Sequence, residues 1–231
     1  ARRPPESRRG PGAAENALTA WDDDNDRVVM LGGTITLSAA GIFLTSTRAW
    51  DGTTSAEIVG STGTAPFGGI AFDGAQIMGV GGSTFRLDAG AWVVDQPLPT
   101  GVPSSSLALT YHAGLDAAFS FGGSTAASDF TDVTATIRDG VVTTLSPTTR
   151  PPARRSAHVV YDVALDRVVL FGGRNAVSLR DTWVFEDGDW RELPTTTTDV
   201  LEARLVYDDV RGVVVRLGDG SGAVAMVVDE L

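Results

Sequence analysis

Short apolar runs alternate with Asp- and Gly-bearing breaks along the whole chain, and no stretch holds a helical apolar period for three turns. The clearest stretch is residues 156–193. Ala157 to Tyr161 and Val168 to Phe171 are rich in β-branched and aromatic residues and are separated by an Asp-bounded break. That pattern predicts two buried strands joined by a tight hairpin. Trp183 to Phe185 and Trp190 to Leu193 predict two more, around the turn Glu186-Asp187-Gly188-Asp189, where glycine supplies a positive φ without steric cost. One unit is therefore four strands, named a to d in chain order, with strand a expected innermost.

The unit recurs. Taking the double glycine after strand b as anchor, copies fall at Gly32-Gly33, Gly81-Gly82, Gly122-Gly123 and Gly172-Gly173, with a degenerate fifth at Gly218-Asp219. The spacings are 49, 41, 50 and 46 residues. Trp21-Asp22, Phe72-Asp73, Tyr111-His112, Tyr161-Asp162 and Tyr207-Asp208 keep step with the glycines, as the ends of equivalent strands should. Periods of this size predict a propeller or solenoid. The Pro, Ser and Thr clusters at 97–106, 146–152 and 194–199 fall between copies and read as loops within one domain. The expected blades are 1–66, 67–102, 103–150, 151–198 and 199–231 of a single domain spanning 1–231.

The Tyr-Asp, Arg-Val-Val-Leu-Phe-Gly-Gly, Asp-Thr-Trp and Gly-Asp-Trp elements of residues 156–190 resemble the bacterial form of the kelch repeat, a four-stranded blade of a β-propeller. The resemblance is strongest in 151–198, clear at Asp26 to Gly33 with Trp50 to Thr54, and weaker in 67–102 and 103–150. It implies an all-β propeller of about five repeats. Arg3-Pro4-Pro5 with Ser7-Arg8-Arg9 is similar to Arg150-Pro151-Pro152 with Arg154-Arg155-Ser156, so the chain is expected to begin in an inter-blade loop. The expectation is a segment of a larger ring, completed by further sequence or another chain; the alternative is a small ring closed by residues 1–15.

Composition narrows the chemistry. Cysteine is absent, which excludes disulfides, thiol nucleophiles and Cys-based zinc sites. It also excludes the copper radical site that kelch-related oxidases of the galactose-oxidase type build from Cys and Tyr. A net charge of −11 argues against general nucleic-acid binding. No run of apolar residues is long enough to span a membrane as a helix. All 18 basic residues are Arg, which reads as a coding habit. The Thr- and Gly-rich β composition, without Lys or Cys, and the resemblance together favour a secreted or cell-surface location.

Specific catalytic motifs are weak. The Gly-x-Ser-x-Gly elbow of one hydrolase class is absent, and the Gly-rich stretches at 79–82 and 218–222 sit in strand context with no helix following. Tyr111, Tyr161 and Tyr207 share one repeat position, which reads as packing, not as a sialidase-type nucleophile. His112 and His158 are the only histidines and fall at non-equivalent positions, too isolated for a three-His site. Asp22, Asp24 and Asp26 have the alternate spacing with which a calcium loop begins, but Arg27 and Gly33 stand where such a loop needs Gly and Glu. A solvated hairpin is the better reading, with a loosely held calcium ion as the alternative.

One charge pattern stands out. Asp22 to Asp26, Asp51, Asp73, Asp88, Asp116, Asp139, Asp162, Asp166, Glu186, Asp187, Asp189, Asp208 and Asp209 map to the a–b and c–d turns, on one face of the expected disc. Arg2, Arg3, Arg8, Arg9, Arg150, Arg154, Arg155, Arg174 and Arg180 map to the d–a and b–c loops on the other. Solvated turns alone account for much of this. Bidentate arginine on loops of a rigid scaffold is also suited to an acidic or carboxylate-bearing partner. The favoured reading is a binding or scaffolding module that takes a protein or glycan partner through Arg150, Arg154, Arg155, Arg174, Asn175 and Arg180. The alternatives are an enzyme acting on a sugar or acid in the funnel, with Arg154, His158 and nearby carboxylates, and a structural component of a larger assembly.

Overall fold

The computed structural model describes residues 17–32, 34–35, 42–43, 46–59, 67–125, 129–194 and 204–217. The described residues are all-β, with one short 3-10 turn at Asp23–Asn25. Strands β1 (Leu18–Asp22), β2 (Arg27–Leu31), β3 (Thr34–Ile35), β4 (Ile42–Phe43), β5 (Thr47–Trp50) and β6 (Ser55–Val59) contain the first copy. There β1-β2-β5-β6 form sheet I, and β3-β4 form a small hairpin inserted between its second and third strands. Sheet II is β7 (Gly69–Phe72), β8 (Ile77–Val80), β9 (Ser83–Asp88) and β10 (Ala91–Pro97). Sheet III is β11 (Ala108–His112), β12 (Ala117–Phe121), β13 (Thr134–Arg138) and β14 (Val141–Thr144). Sheet IV is β15 (His158–Asp162), β16 (Arg167–Phe171), β17 (Thr182–Glu186) and β18 (Asp189–Leu193). A last pair, β19 (Arg204–Asp208) and β20 (Val213–Leu217), is the described part of unit V.

Sheets I to IV have the same antiparallel meander, with strands in chain order across the sheet. The expected a to d strands of residues 157–193 are found within a residue or two of where the apolar pattern puts them. The first strands of successive units are neighbours: β1 lies beside β7, β7 beside β11, β11 beside β15, and β15 beside β19. Strand a is therefore the edge at which the sheets converge, as expected.

The core lies between sheets, not inside one. Val29 and Leu31 of sheet I pack with Ile70, Phe72 and Ile77 of sheet II. Met78 and Val80 pack with Ala118 and Ile137 of sheet III. Phe119 and Phe121 pack with Leu170, Phe185 and Trp190 of sheet IV, and Val169 and Val184 with Val214 of unit V. An inner sheet is thus covered on both faces, and its second strand reads as an unbroken apolar run because both sides of the pleat are buried. Strands β8, β12 and β16 are buried at every position for this reason.

Outer strands are pinned by polar contacts at repeated positions. Trp190 Nε1 in β18 donates to Thr134 Oγ1 of sheet III at 3.0 Å, and Trp92 Nε1 in β10 donates to Thr47 Oγ1 of sheet I at 2.8 Å. A buried indole satisfies its N–H this way while its ring fills the gap between sheets. The Trp of the Gly-Asp-Trp element is therefore a wedge with a fixed orientation.

Candidate partner-binding face

The face bearing the arginine loops is organised by the double glycines. Gly172 and Gly173 have φ of +66° and +86°, so both turn the chain in a conformation that L side chains rarely adopt. At Gly173 a Cβ would come within 2.9 Å of Arg155 O and Ala157 N. The glycine pair lets the incoming d–a segment lie directly against the end of strand b. The same crossing occurs in sheet III, where a Cβ on Gly123 would meet Ser105 O at 2.8 Å.

Backbone pairing then fixes the loops. Arg155 N donates to Arg174 O and Arg174 N to Arg155 O, both at 2.9 Å. Arg154 N donates to Thr131 O at 2.9 Å and Gly123 N to Arg154 O at 2.8 Å, which ties the same segment to the b–c loop of sheet III. Residues 153–156 are thus a strap stitched to two sheets at once.

Arg154 and Arg155 point to opposite sides of this strap. Arg154 has 0% of its surface exposed. Its Nη1 and Nη2 donate to Asp181 Oδ1 and Oδ2 at 2.6 and 2.7 Å, Nη1 also donates to Gly172 O at 2.9 Å, and Nε donates to Pro152 O at 2.9 Å. Asp181 accepts a further hydrogen bond from Trp183 Nε1 at 2.8 Å. Burial by itself raises the Asp181 pKa, but the hydrogen bonds from Arg154 and Trp183 and the Arg154 charge outweigh it and hold the carboxyl below its ordinary value. A guanidinium committed this fully has nothing to offer a partner. Arg154 is a structural rivet, and its expected place among the contact residues is corrected accordingly.

Among the other expected residues, Arg155 and Arg174 are paired through their backbones and Asn175 is tied to Ala153 of the same strap. Arg155 is half-buried with its guanidinium 5.5 Å from the centre of the Phe130 ring, a cation–π placement. Arg174 and Arg180 are exposed. Among the described residues the Arg174 side chain has no ion pair and no hydrogen bond. Arg150 is exposed, 3.7 Å from Asp132, and its Nε donates to Pro147 O at 3.2 Å. Asn175 shapes the loop: its Oδ1 accepts from Val177 N at 3.1 Å and its Nδ2 donates to Ala153 O at 3.5 Å. Because Arg155 and Arg174 form a hydrogen-bonded antiparallel pair, their side chains leave the same side of the strap with Cα atoms about 5.5 Å apart. Arg2, Arg3, Arg8 and Arg9 lie outside the described residues.

The turn face is more balanced than its acidic count suggests. Asp22 pairs with Arg27 at 2.7 Å, Asp116 with Arg138 at 2.7 Å, Asp162 with Arg167 at 3.2 Å, Glu186 with Arg191 at 2.7 Å and Asp208 with Arg211 at 2.8 Å. Asp22 also accepts from Asn25 Nδ2 through both oxygens. Its carboxylate is occupied, and among the described residues no three acidic or histidine side chains are grouped to hold a metal ion. Asp22, Asp24 and Asp26 lie in the turn between β1 and β2, around the 3-10 turn Asp23–Asn25. A cleft of about 390 Å³ beside them, lined by Asp24, Arg27, Gln76 and Leu87 among others, separates the turns of sheets I and II.

Sequence reasoning did not anticipate how the a–b turns interlock. Tyr161 donates to Asp166 Oδ1 at 2.6 Å and Tyr111 to Asp116 Oδ1 at 2.9 Å. Each clasp sits against the preceding turn: a Cβ on Gly114 would lie 2.6 Å from Asp166 Oδ1, and one on Gly74 would collide with Asp116 Oδ1. In unit V Tyr207 has no such acid, because Gly212 stands there, and its oxygen accepts from Ala164 N at 3.1 Å. Burial first, then the hydrogen bond to Asp166 and its charge, push Tyr161 up to about 12. The recurrence of Asp five residues after Tyr in copies three and four was the available signal. His112 is buried against Tyr161, ring centres 4.5 Å apart, and burial lowers its pKa. His158 is half-buried at the start of β15. The two histidines occupy different strand positions, so neither supports a shared catalytic site.

No protein-family model matches this chain, and a search of curated proteins finds no match.

Proposed function

We propose that this chain is a kelch-like β-propeller module that binds a carboxylate-bearing protein or glycan through its d–a and b–c loops. Convergence of the first strands, face-to-face packing of successive four-stranded sheets and the repeated glycine crossing support the propeller reading. One observation carries the functional reading: Arg155 and Arg174 stand directly opposite each other in a hydrogen-bonded pair, on loops stitched to rigid sheets. Like charges directly opposite destabilise a pair, and a bound carboxylate relieves that cost while taking bidentate hydrogen bonds. Arg180 and Arg150, both exposed, lie in the adjoining b–c loop and d–a segment. Asn175 keeps the Arg174 loop in shape without a charge of its own.

The test is binding of fluorescent oligogalacturonate and oligoglutamate by the intact protein and by an Arg155→Ala/Arg174→Ala variant. Saturable binding that weakens with salt and is lost in the variant supports the proposal. No binding of either probe, or equal binding by the variant, overturns it.

A further inference from the structure

The tips of the a–b turns in sheets III and IV and unit V carry apolar side chains in the open. Leu115 is 45% exposed, Val163 58%, Leu165 47% and Val210 91%. Turn tips are ordinarily polar because they project into water, and single exposed apolar residues need no explanation. Here four fall on three successive turns that touch one another. A Cβ on Gly114 would lie 2.6 Å from Asp166 Oδ1, and Ala164 N bonds the Tyr207 oxygen of the next unit. The tips are therefore held as one continuous surface and not as separate loops. Contiguous exposed apolar surface on a rigid support marks an interaction site.

Charge selects the partner. Asp116, Asp162 and Asp208 in these turns are neutralised by Arg138, Arg167 and Arg211. Asp166 and Asp209 in the a–b turns, and Asp187 in the c–d turn at the same end of sheet IV, have no basic partner among the described residues. Uncompensated carboxylates thus border an apolar strip. We propose that this turn surface is a second docking site, for an extended segment of another protein in which Arg or Lys alternates with apolar side chains. The apolar groups would cover Leu115, Val163, Leu165 and Val210, and the cations would meet Asp166, Asp187 and Asp209. This site is on the opposite edge of the sheets from the Arg155–Arg174 pair and does not depend on it.

The experiment uses the intact chain and a labelled synthetic peptide alternating arginine with valine, with a version carrying glutamate in place of arginine as control. Anisotropy titration gives affinity and hydrogen exchange gives the footprint. Expected is saturable binding of the basic peptide only, protection confined to the turns at 113–116, 163–166 and 209–212, and a loss of at least about tenfold in a Val163→Ser/Leu165→Ser/Val210→Ser variant. These positions are exposed, so the variant keeps its fold, and unchanged cooperative unfolding checks that. Equal binding by the variant, or a footprint on 150–156 and 172–180, overturns the proposal. So does concentration-dependent self-association of the free protein that protects the same turns, which would make the occupant a second copy of this chain.

Discussion

Arg154 and Asp181 meet through two parallel hydrogen bonds, 2.6 and 2.7 Å long, with the arginine wholly enclosed. The pair closes the strap that carries Arg155 over the end of strand b. Removing one partner of a buried ion pair leaves the other charge stranded, at a cost of about 3–5 kcal/mol. Arg154→Ala is expected to lose stability in that range in urea titration, whereas Arg174→Ala, a change at an exposed side chain, should stay within about 0.5 kcal/mol of the parent. Equal effects of the two would remove the distinction between rivet and contact residue.

Acid should act through the same pair. The Asp181 carboxyl is held below its ordinary value, so its contribution is complete above the unfolded pKa of 3.8 and fades as pH falls through the folded value. His112 adds to this limb at higher pH. Burial depresses its pKa, so the folded chain resists a proton that the unfolded chain takes up, and stability declines as pH drops below 6.5. Asp181→Asn is expected to be less stable than the parent at neutral pH and to show a flatter decline below pH about 4.

Alkali acts through the turn clasp. With Tyr161 pushed up to about 12 from 10.0, the folded state keeps a proton that the unfolded state releases. Its contribution is complete below pH 10.0 and is lost as pH rises towards 12. Ultraviolet titration should show Tyr161 ionising late, with Tyr111, which burial and Asp116 also raise, above its ordinary value, and Asp166→Asn should bring the Tyr161 ionisation down, because the carboxylate both accepts the Tyr161 hydrogen bond and repels the phenolate.

Gly114 and Gly212 make a reciprocal prediction. Where the next unit carries the turn acid, as at Asp166, the preceding turn has Gly114, whose Cβ would collide with it; where Gly212 stands instead, the preceding turn carries Ala164. Gly212→Asp alone is expected to destabilise the chain by crowding the Ala164 methyl. Combined with Ala164→Gly it should regain stability, with a coupling energy of about 0.5–3 kcal/mol in a double-mutant cycle. Additive effects would show that the turns do not interlock as described.

Much of the fold is legible in the sequence. Apolar runs such as Val168 to Phe171, covered on both faces, and the evenly placed glycine pairs gave strand number, order and turn position. The β3-β4 hairpin was not anticipated, although Thr34 to Ala39 alternates polar and apolar residues, because the stretch falls between strands b and c, where the repeat has only a loop. At the candidate site, Arg154 and Arg155 are indistinguishable as letters, yet successive residues of an extended segment face opposite ways, and which faces inward depends on where the Asp181 carboxylate sits in space. The apolar tips were missed for a related reason. Asp162 to Asp166 reads as a turn, in agreement with the register Asp162↔Arg167, but the exposure of Val163 and Leu165 beside the adjoining turns follows from how successive sheets pack.

The account rests on the Arg155–Arg174 pair being where a carboxylated partner binds. Hydrogen exchange of the intact protein with and without oligogalacturonate or oligoglutamate tests this most directly. The account predicts added protection in residues 150–156 and 172–180, centred on the strap, and no added protection there when Arg174 is replaced by Ala. Protection confined to other segments, or unchanged by Arg174→Ala, would contradict it.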